Sequence, residues 1–236
     1  MSNALQVLRR AAFGLADLVV PQHCFVCGER SGATAVCAHC TAGLPGHPPS
    51  ACPVCALPTR DGTLCGQCLC EPPAFDSTRA VFSYAFPVDR MVQALKYRAR
   101  LGLAGYFTRL LAGLGPPPAS DLLLPMPLHL LRLRQRGFNQ AVEIARPLAR
   151  AWRLPLELAA VGRARHVPPQ ADLPWLERTA NMRDVFRCGR SLAGRRIVVI
   201  DDVMTTGATL DALARVLKRH GAARVDNLVV ARTLPP

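Results

Sequence analysis

Eight of the ten cysteines fall into four C-x-x-C pairs, and this pattern constrains the fold of the chain more than any other feature. Nine residues separate the two pairs of each quartet, and the second quartet repeats the first 28 residues later. A C-x-x-C turn places two thiolates on one side of a tight loop, so two such turns form the four-sulfur shell that zinc prefers. We predict two structural zinc ions, bound by Cys24, Cys27, Cys37, Cys40, Cys52, Cys55, Cys65 and Cys68.

The cysteine spacing leaves the pairing and the role of these sites open. Each quartet can close on itself, the pairs can alternate in a cross-brace, or one site can be degenerate. We expect the metal to be structural and to stabilise a segment too small to build its own core. The alternative is that the cysteine-rich segment contacts nucleic acid directly. A catalytic zinc is disfavoured, because eight thiolates leave no open coordination position.

The first twenty residues have to be distinguished from a signal peptide. The apolar run from Ala11 to Val20 is short and contains Asp17, and no small-residue cleavage site follows it. We therefore expect an amphipathic helix in this segment. No apolar stretch is long enough to cross a membrane, so we expect no membrane partner and a cytoplasmic location, where paired thiols favour metal over disulfide bonds.

The excess of positive charge is confined to the second part of the chain. The sequence has 29 Lys and Arg against 16 Asp and Glu, a formal net charge of +13. Residues 1–75 carry four charges of each sign, so the whole excess lies in residues 76–236. A basic domain favours phosphate-bearing partners such as a nucleotide, a phosphosugar or nucleic acid. The alternative is a generic basic surface, since only two of the 29 cations are Lys, a bias typical of an Arg-rich proteome.

Strands alternate with helices after Pro72-Pro73, where the cysteine-rich part ends. We therefore predict a zinc-binding module over residues 1–73 and a second domain over residues 74–236. The alternation indicates an α/β fold with a parallel sheet, in which ligands bind beyond the carboxyl ends of the strands. The predicted strands are 80–84, 122–127, 154–158, 196–200 and 225–231, the predicted helices are 91–111, 139–152 and 210–220, and residues 162–190 are predicted to form a long loop or hairpin.

The segment VVIDDVMTTGATL, from Val198 to Leu210, joins a buried strand to a helix. Backbone amides in its turn and the positive end of the helix can hold a phosphate, and the glycine lets the chain approach the oxygens closely. The two acids before the turn can accept hydrogen bonds from ribose hydroxyls. The segment is neither a Walker loop nor a dinucleotide turn of the G-x-G-x-x-G type. The residues predicted to bind are Asp201, Asp202, Thr205, Thr206, Gly207, Ala208 and Thr209.

Four apolar residues, two acids and T-T-G-x-T resemble the phosphoribosyl-pyrophosphate (PRPP) motif of type I phosphoribosyltransferases. The C-x-x-C pairs, PPAFD, LKY, LPMPLH, RLRQRGFNQA, VPPQADL and ERTANMRDVF narrow the resemblance to the ComF family of competence and DNA-uptake proteins, over nearly the whole chain. The resemblance implies a Rossmann-like phosphoribosyltransferase domain behind an N-terminal zinc ribbon. It also implies a role in natural transformation, association with single-stranded DNA, and Mg²⁺ bound together with PRPP.

The same resemblance assigns roles to residues around the motif. Asp201 and Asp202 would bind the ribose hydroxyls, and the turn from Thr205 to Thr209 would bind the 5′-phosphate. Residues 163–181 would close over PRPP as a flexible loop, although Val167 stands where the family usually has Thr. The pyrophosphate loop would comprise Pro125, Met126, Pro127 and Leu128, and the flexible loop would contribute Arg163, Gln170, Arg178 and Asn181.

Three functions fit the sequence. The first is a PRPP-binding protein that acts in DNA uptake, with a competence helicase or recombination factor as a partner. The second is a nucleic-acid-binding adaptor without turnover, and the third is a metabolic or salvage phosphoribosyltransferase unrelated to competence. No residue pattern identifies an acceptor, so the sequence leaves catalysis open. A basic patch that can grip a DNA backbone or neutralise a departing pyrophosphate comprises Arg132, Arg134 and Arg136.

Overall fold

A parallel four-stranded sheet forms the centre of the molecule, whose computed structural model describes residues 22–163 and 185–235. All neighbouring strands are parallel, so their carboxyl ends lie at one edge of the sheet. The predicted α/β fold with a parallel sheet is confirmed. In spatial order the strands are β1 (Ser77–Ser83), β6 (Arg224–Arg232), β5 (Arg196–Met204) and β2 (Leu122–Pro125). A separate antiparallel pair is formed by β3 (Val161–Arg163) and β4 (Phe186–Cys188).

Helices cover both faces of the sheet. Val198 and Ile200 of β5 pack into one apolar layer, whereas Ile197 and Val199 pack into the other, as the two-residue period of a strand requires. Within the described ranges, none of the helices combines the length and the apolar character needed to cross a bilayer. The helices are α1 (Ala38–Ala42), α2 (Gly66–Cys70), α3 (Val88–Arg98), α4 (Gly102–Gly113), α5 (Leu130–Arg136), α6 (Gln140–Trp152) and α7 (Ala208–Arg219). The first layer contains α3, α4 and α6, and the second contains α7.

The cysteine-rich module packs along the edge strand β1. The backbone amide of Thr78 in β1 donates to the carbonyl of Pro53 at 3.1 Å. Cys24 of the first quartet is buried in the apolar layer of α3 and α4, whereas Cys55 of the second quartet is buried in the layer of α7. The two quartets therefore lie against opposite faces of the sheet.

The helix predicted over residues 91–111 is in fact two helices, so that prediction is wrong in its continuity. Ala99 follows α3 in a left-handed conformation (φ 48°), and α4 begins three residues later at Gly102. A left-handed residue at this position commonly ends a helix, but the usual signal is Gly or Asn rather than Ala. The break leaves Lys96 in the last turn of α3.

The strand predicted over residues 154–158 is reduced to an isolated parallel bridge between Leu123 and Leu156. The amide of Leu123 donates to Pro155 at 2.9 Å, and the amide of Glu157 donates back to Leu123 at 2.8 Å. Pro155 has no N–H with which to continue the ladder. The Glu157 carboxylate accepts from the amide of Ala159 at 2.8 Å, which turns the chain away from the sheet.

Candidate functional site

Each cysteine quartet closes on itself. The Sγ atoms within a quartet all lie within 4.8 Å of one another, a set of four thiol ligands that suits a structural zinc ion. The amide of Cys37 points at the Cys24 sulfur at 3.4 Å, as backbone amides do around zinc thiolates. His23 and His47 instead place a ring nitrogen against backbone carbonyl oxygens, at 2.9 and 2.8 Å. The quartets are Cys24, Cys27, Cys37 and Cys40, and then Cys52, Cys55, Cys65 and Cys68.

The two acids of the motif lie inside the end of β5 rather than after it. Asp201 is 9% exposed and Asp202 is 3% exposed. Lys96 reaches from the last turn of α3 and places its Nζ 2.7 Å from Asp202 Oδ1. The other carboxylate oxygen of Asp202 is buried and has no hydrogen-bond partner among the described residues. A buried acceptor without a partner is rare in folded proteins, and a bound water, ion or ligand commonly satisfies it.

Burial and the neighbouring carboxylate control the protonation of Asp201. Burial and, to a smaller extent, the adjacent Asp202 raise the pKa of Asp201 to about 7, although Lys96 and Arg163 act in the opposite direction. Burial lowers the pKa of Lys96, but the contact with Asp202 outweighs this effect, so its pKa is raised overall. Among the described residues Lys96 is thus the cation in direct contact with the acid pair, and Asp201 titrates near neutral pH.

The turn after β5 requires glycine at position 207. Gly207 has φ 86° and precedes the first residue of α7, and a Cβ added there would lie 2.6 Å from Met204 Cε. The hydroxyl of Thr206 accepts from the amide of Ala208 at 3.3 Å, and Thr205 is exposed. The turn therefore presents hydroxyls and the positive end of a twelve-residue helix to the carboxyl edge of the sheet.

The segment predicted as the pyrophosphate loop lies beside the acids. Pro125 ends β2 and pairs with Ile200 of β5, and the amide of Met126 donates to the carbonyl of Ile200 at 2.8 Å. Asn139 fixes the far side, because its side-chain amide donates to the carbonyl of Met126 at 3.0 Å. Met126 is buried, whereas Pro127 and Leu128 are half-buried and follow the carboxyl end of β2.

The basic patch lies on α5, a helix that the sequence did not predict. His129 caps its N-terminus by accepting from the amide of Leu131 at 3.2 Å, and Gly137 ends it with φ 81°. A cavity of about 410 Å³ lies between this helix and the end of α3. Arg134 is exposed and is not among the residues that line the cavity, which are Lys96, Tyr97, Arg98, Ala99, Arg132, Gln135, Arg136 and Phe138.

Only Arg163 of the four flexible-loop residues lies within the described chain. Its Nε is buried and has no hydrogen-bond partner there, and its guanidinium carbon lies 5.6 Å from the centre of the Phe186 ring. Burial and the nearby Arg132 lower the pKa of Arg163, while Asp201 acts in the opposite direction. The predictions for Gln170, Arg178 and Asn181 lie outside the described residues.

Sequence reasoning missed two residues of the site. The sequence singles out Lys96 only because it is one of two lysines in an Arg-rich chain and belongs to the segment LKY. Arg232 was visible as a cation that closes the apolar run of β6, yet it is only 3% exposed. Its guanidinium donates to the carbonyls of Met204 (3.1 Å) and Thr205, at the start of the turn.

Known proteins match both parts of this chain. Residues 15–69 match the double zinc ribbon domain family, and residues 130–234 match the phosphoribosyl transferase domain family. The DNA utilization protein YhgH of Shigella flexneri is 33% identical over 230 residues, which cover 92% of this chain and 100% of that protein. Competence protein F of Haemophilus influenzae is 28% identical over 179 residues, which cover 71% of this chain and 78% of that protein.

Solved structures give a weaker likeness. The purine phosphoribosyltransferase from Pyrococcus horikoshii Ot3 aligns with 66% of this chain and 88% of its own length, at 18% identity and a TM-score of 0.31. The sheet topology, the two cysteine quartets and the two family matches together confirm a phosphoribosyltransferase fold with an N-terminal double zinc ribbon.

Proposed function

Because this chain belongs to the ComF family of competence and DNA-utilization proteins, we propose that its carboxyl-edge site binds PRPP and that the protein acts in the use of incoming DNA. Relatives named for competence and for DNA utilization support the pathway. The phosphoribosyl transferase domain match and the acid pair support the ligand. In this role the protein acts in the cytoplasm beside a helicase or recombination factor.

The observation that carries the ligand proposal is the unpartnered oxygen of Asp202. It is buried next to a second acid, at a strand end that leads directly into a helix N-terminus. A buried acceptor in that position gains its missing hydrogen bond from a sugar hydroxyl. The turn from Thr205 to Thr209 then lies where the phosphate of the same molecule binds.

Mg²⁺ fits the same site, since two adjacent carboxylates are the kind of oxygen ligands that it prefers. Asp201 and Asp202 would hold it with the oxygens of PRPP, and it would supply charge neutralisation at the pyrophosphate. The chain itself would contribute Arg163, whose buried Nε lacks a partner among the described residues. A guanidinium can neutralise a departing pyrophosphate with paired hydrogen bonds, and in turnover an acceptor would attack C1 of the ribose as the pyrophosphate leaves.

Calorimetric titration with PRPP and Mg²⁺ tests this proposal. The Asp201→Asn/Asp202→Asn variant should bind at least about a hundredfold more weakly, since two charge-assisted hydrogen bonds are lost. Asp89→Asn is the matched control, because Asp89 is a half-buried acid paired with Arg90 on α3. Wild-type affinity in the double variant would overturn the site assignment. Release of pyrophosphate on adding a base or amine would separate an enzyme from a protein that only binds.

A second function is favoured by the cavity between α3 and α5, which we propose binds single-stranded DNA. Tyr97 is 71% exposed, and the guanidinium carbon of Arg136 lies 5.2 Å from the centre of its ring. Phe138 also lines the cavity, together with cations from both helices. Exposed aromatic rings among Arg and Lys side chains are the usual means by which proteins hold single strands, by stacking on bases and pairing with phosphates.

Binding of oligodeoxythymidine at two salt concentrations tests the DNA proposal. Tyr97→Ala should weaken binding about tenfold through lost stacking, and wild-type affinity should fall steeply between low and moderate salt. Arg150→Ala, on the exposed side of α6, serves as the control for a general loss of positive charge. A flat salt response, or equal effects of the two substitutions, would refute this assignment of the cavity.

A further inference from the structure

A single buried cation joins the second cysteine quartet to the turn after β5. Arg232 is the last residue of β6, and its Nε donates to the carbonyl of Cys55 at 2.8 Å. Its Nη1 donates to the carbonyls of Met204 at 3.1 Å and of Thr205. One planar guanidinium thus fixes the relative positions of a cysteine knuckle and of the first residues of the turn, because its donors have a rigid geometry.

Further contacts hold the second quartet against the same region. The amide of Ala74, in the segment that leaves the ribbon, donates to the Asp211 carboxylate of α7 at 2.7 Å. Cys55 and Cys68 belong to the same apolar layer as Met204. A cavity of about 530 Å³ is lined by these two cysteines, by residues 206–208 and by Arg232.

The Cys55 carbonyl can serve as an anchor only while its knuckle keeps its shape. The knuckle is a tight turn closed by two backbone hydrogen bonds, from the amide of Ala56 to Cys52 at 2.9 Å and from the amide of Cys52 to Leu57 at 2.7 Å, and Ala56 adopts φ 56°. Small cysteine modules of this kind depend on their metal for folding. Zinc held by the four thiolates would carry a net charge of about −2 and would compensate the buried guanidinium nearby.

We propose that zinc in the second quartet positions the turn from Thr205 to Thr209 through Arg232, so that losing this metal weakens phosphate binding at the turn. The PRPP part rests on the proposed function. Arg232 acts here as a positioning residue. The first quartet has no such effect, because it lies on the opposite layer, where Tyr106 of α4 donates to the hydroxyl of Thr41 at 3.0 Å.

Equivalent cysteines in the two quartets give a matched pair of variants. Cys37 and Cys65 both occupy the position before a five-residue helix, and both are half-buried. Cys37→Ser and Cys65→Ser should each lose one zinc ion per chain by metal analysis. Only Cys65→Ser should speed amide hydrogen exchange over residues 203–209 and weaken PRPP binding, each about tenfold, the effect expected when a charge-assisted hydrogen bond is displaced.

Arg232→Met removes the hydrogen bonds between the second quartet and the turn but leaves all the cysteines in place. This variant should keep two zinc ions per chain, yet it should show the same faster exchange over residues 203–209. If Cys65→Ser fails to fold, the exchange rates of Arg232→Met still test the proposal. The proposal is overturned if Arg232→Met exchanges like the wild type there, or if Cys37→Ser and Cys65→Ser affect the turn equally. Hydrogen exchange needs no ligand, so a wild-type protein that fails to bind PRPP would contradict the proposed function and leave this test intact.

Discussion

The chain contains only two lysines, and both contact an aspartate at the same N–O distance. Lys96 Nζ lies 2.7 Å from Asp202, and Lys218 Nζ lies 2.7 Å from Asp76. The pairs differ in burial, because the Asp202 side chain is 4% exposed and that of Asp76 is 32% exposed. Replacing each lysine by Met therefore measures what burial adds to the same contact.

The difference can be estimated from Coulomb's law. At 2.7 Å the attraction is about 6 kcal/mol with an effective dielectric constant of about 20, and about 1.5 kcal/mol in water. The larger attraction applies to the buried pair of Lys96 and Asp202, and desolvation of the two ions removes part of it. The smaller attraction applies to the more exposed pair of Lys218 and Asp76, and the loss of side-chain entropy removes most of it. We expect Lys96→Met to lower the free energy of unfolding by about 3 kcal/mol and Lys218→Met to lower it by about 0.5 kcal/mol.

The loss in Lys96→Met should depend on pH. Because the pKa of Lys96 is raised, its stabilisation is fully present below the ordinary lysine pKa of about 10.4 and is lost only at higher pH. Between pH 5 and 8 (about the range of native stability) any change in the stability lost by Lys96→Met therefore comes from the titration of Asp201. Asp201, with a pKa near 7, takes up a proton as the pH falls and relieves the repulsion with Asp202. The loss should be largest at pH 8 and smaller at pH 5.

Urea unfolding of both variants at the two pH values provides the measurement. Adding Asp202→Asn to Lys96→Met should restore most of the lost stability, because the buried charge is then removed together with its partner. Equal losses in Lys96→Met and Lys218→Met, or a double variant no more stable than the single one, would show that burial does not strengthen the contact between Lys96 and Asp202.

Three further outcomes are expected. Gly221→Ala should lower the free energy of unfolding by about 3 kcal/mol, against about 1 kcal/mol for Gly194→Ala, since both glycines have positive φ but only Gly221 would bring Cβ against backbone, 2.9 Å from the Cα of Ala193; equal losses in thermal unfolding would contradict this. Asp201→Asn should stabilise the protein at pH 8 and not at pH 3, because a raised carboxyl pKa destabilises the fold as pH rises from 3.8 to about 7; a gain independent of pH, measured by urea unfolding, would contradict it. Metal analysis of the native protein should give two zinc ions per chain, and a ratio near one would show that one quartet is degenerate.

Periodicity and spacing predicted those parts of the fold that depend on local sequence. The strand around Val199, the helix that follows Asn139 and both cysteine quartets lie where their patterns indicated. These features are decided within a few residues, by alternation, by a capping side chain or by the reach of a C-x-x-C turn. The division of the chain at residue 73 and the cytoplasmic location stay predictions.

Long-range contacts account for what sequence reasoning missed. The role of Lys96 depends on its contact with Asp202, which lies more than a hundred residues later in the chain and is reached because of the position of α3. Arg232 likewise meets the carbonyl of Cys55 across 177 residues. Neither pairing leaves a local pattern, because a buried cation in one segment is explained only by acceptors in another. The roles of the acids, the turn and the pyrophosphate loop stay predictions that the proposed titrations test.

The position of β6 sets the order in which this molecule can be completed during synthesis. It lies between β1 and β5 in the sheet, although it is the last strand of the described chain. Ser77 at the start of β1 pairs with Asp226, 149 residues later. The cysteine knuckles leave the ribosome early and can take up metal while both neighbouring strands still lack their common partner. A chain interrupted within β6 would therefore be released with its zinc ribbons loaded and without the strand that joins β1 to β5.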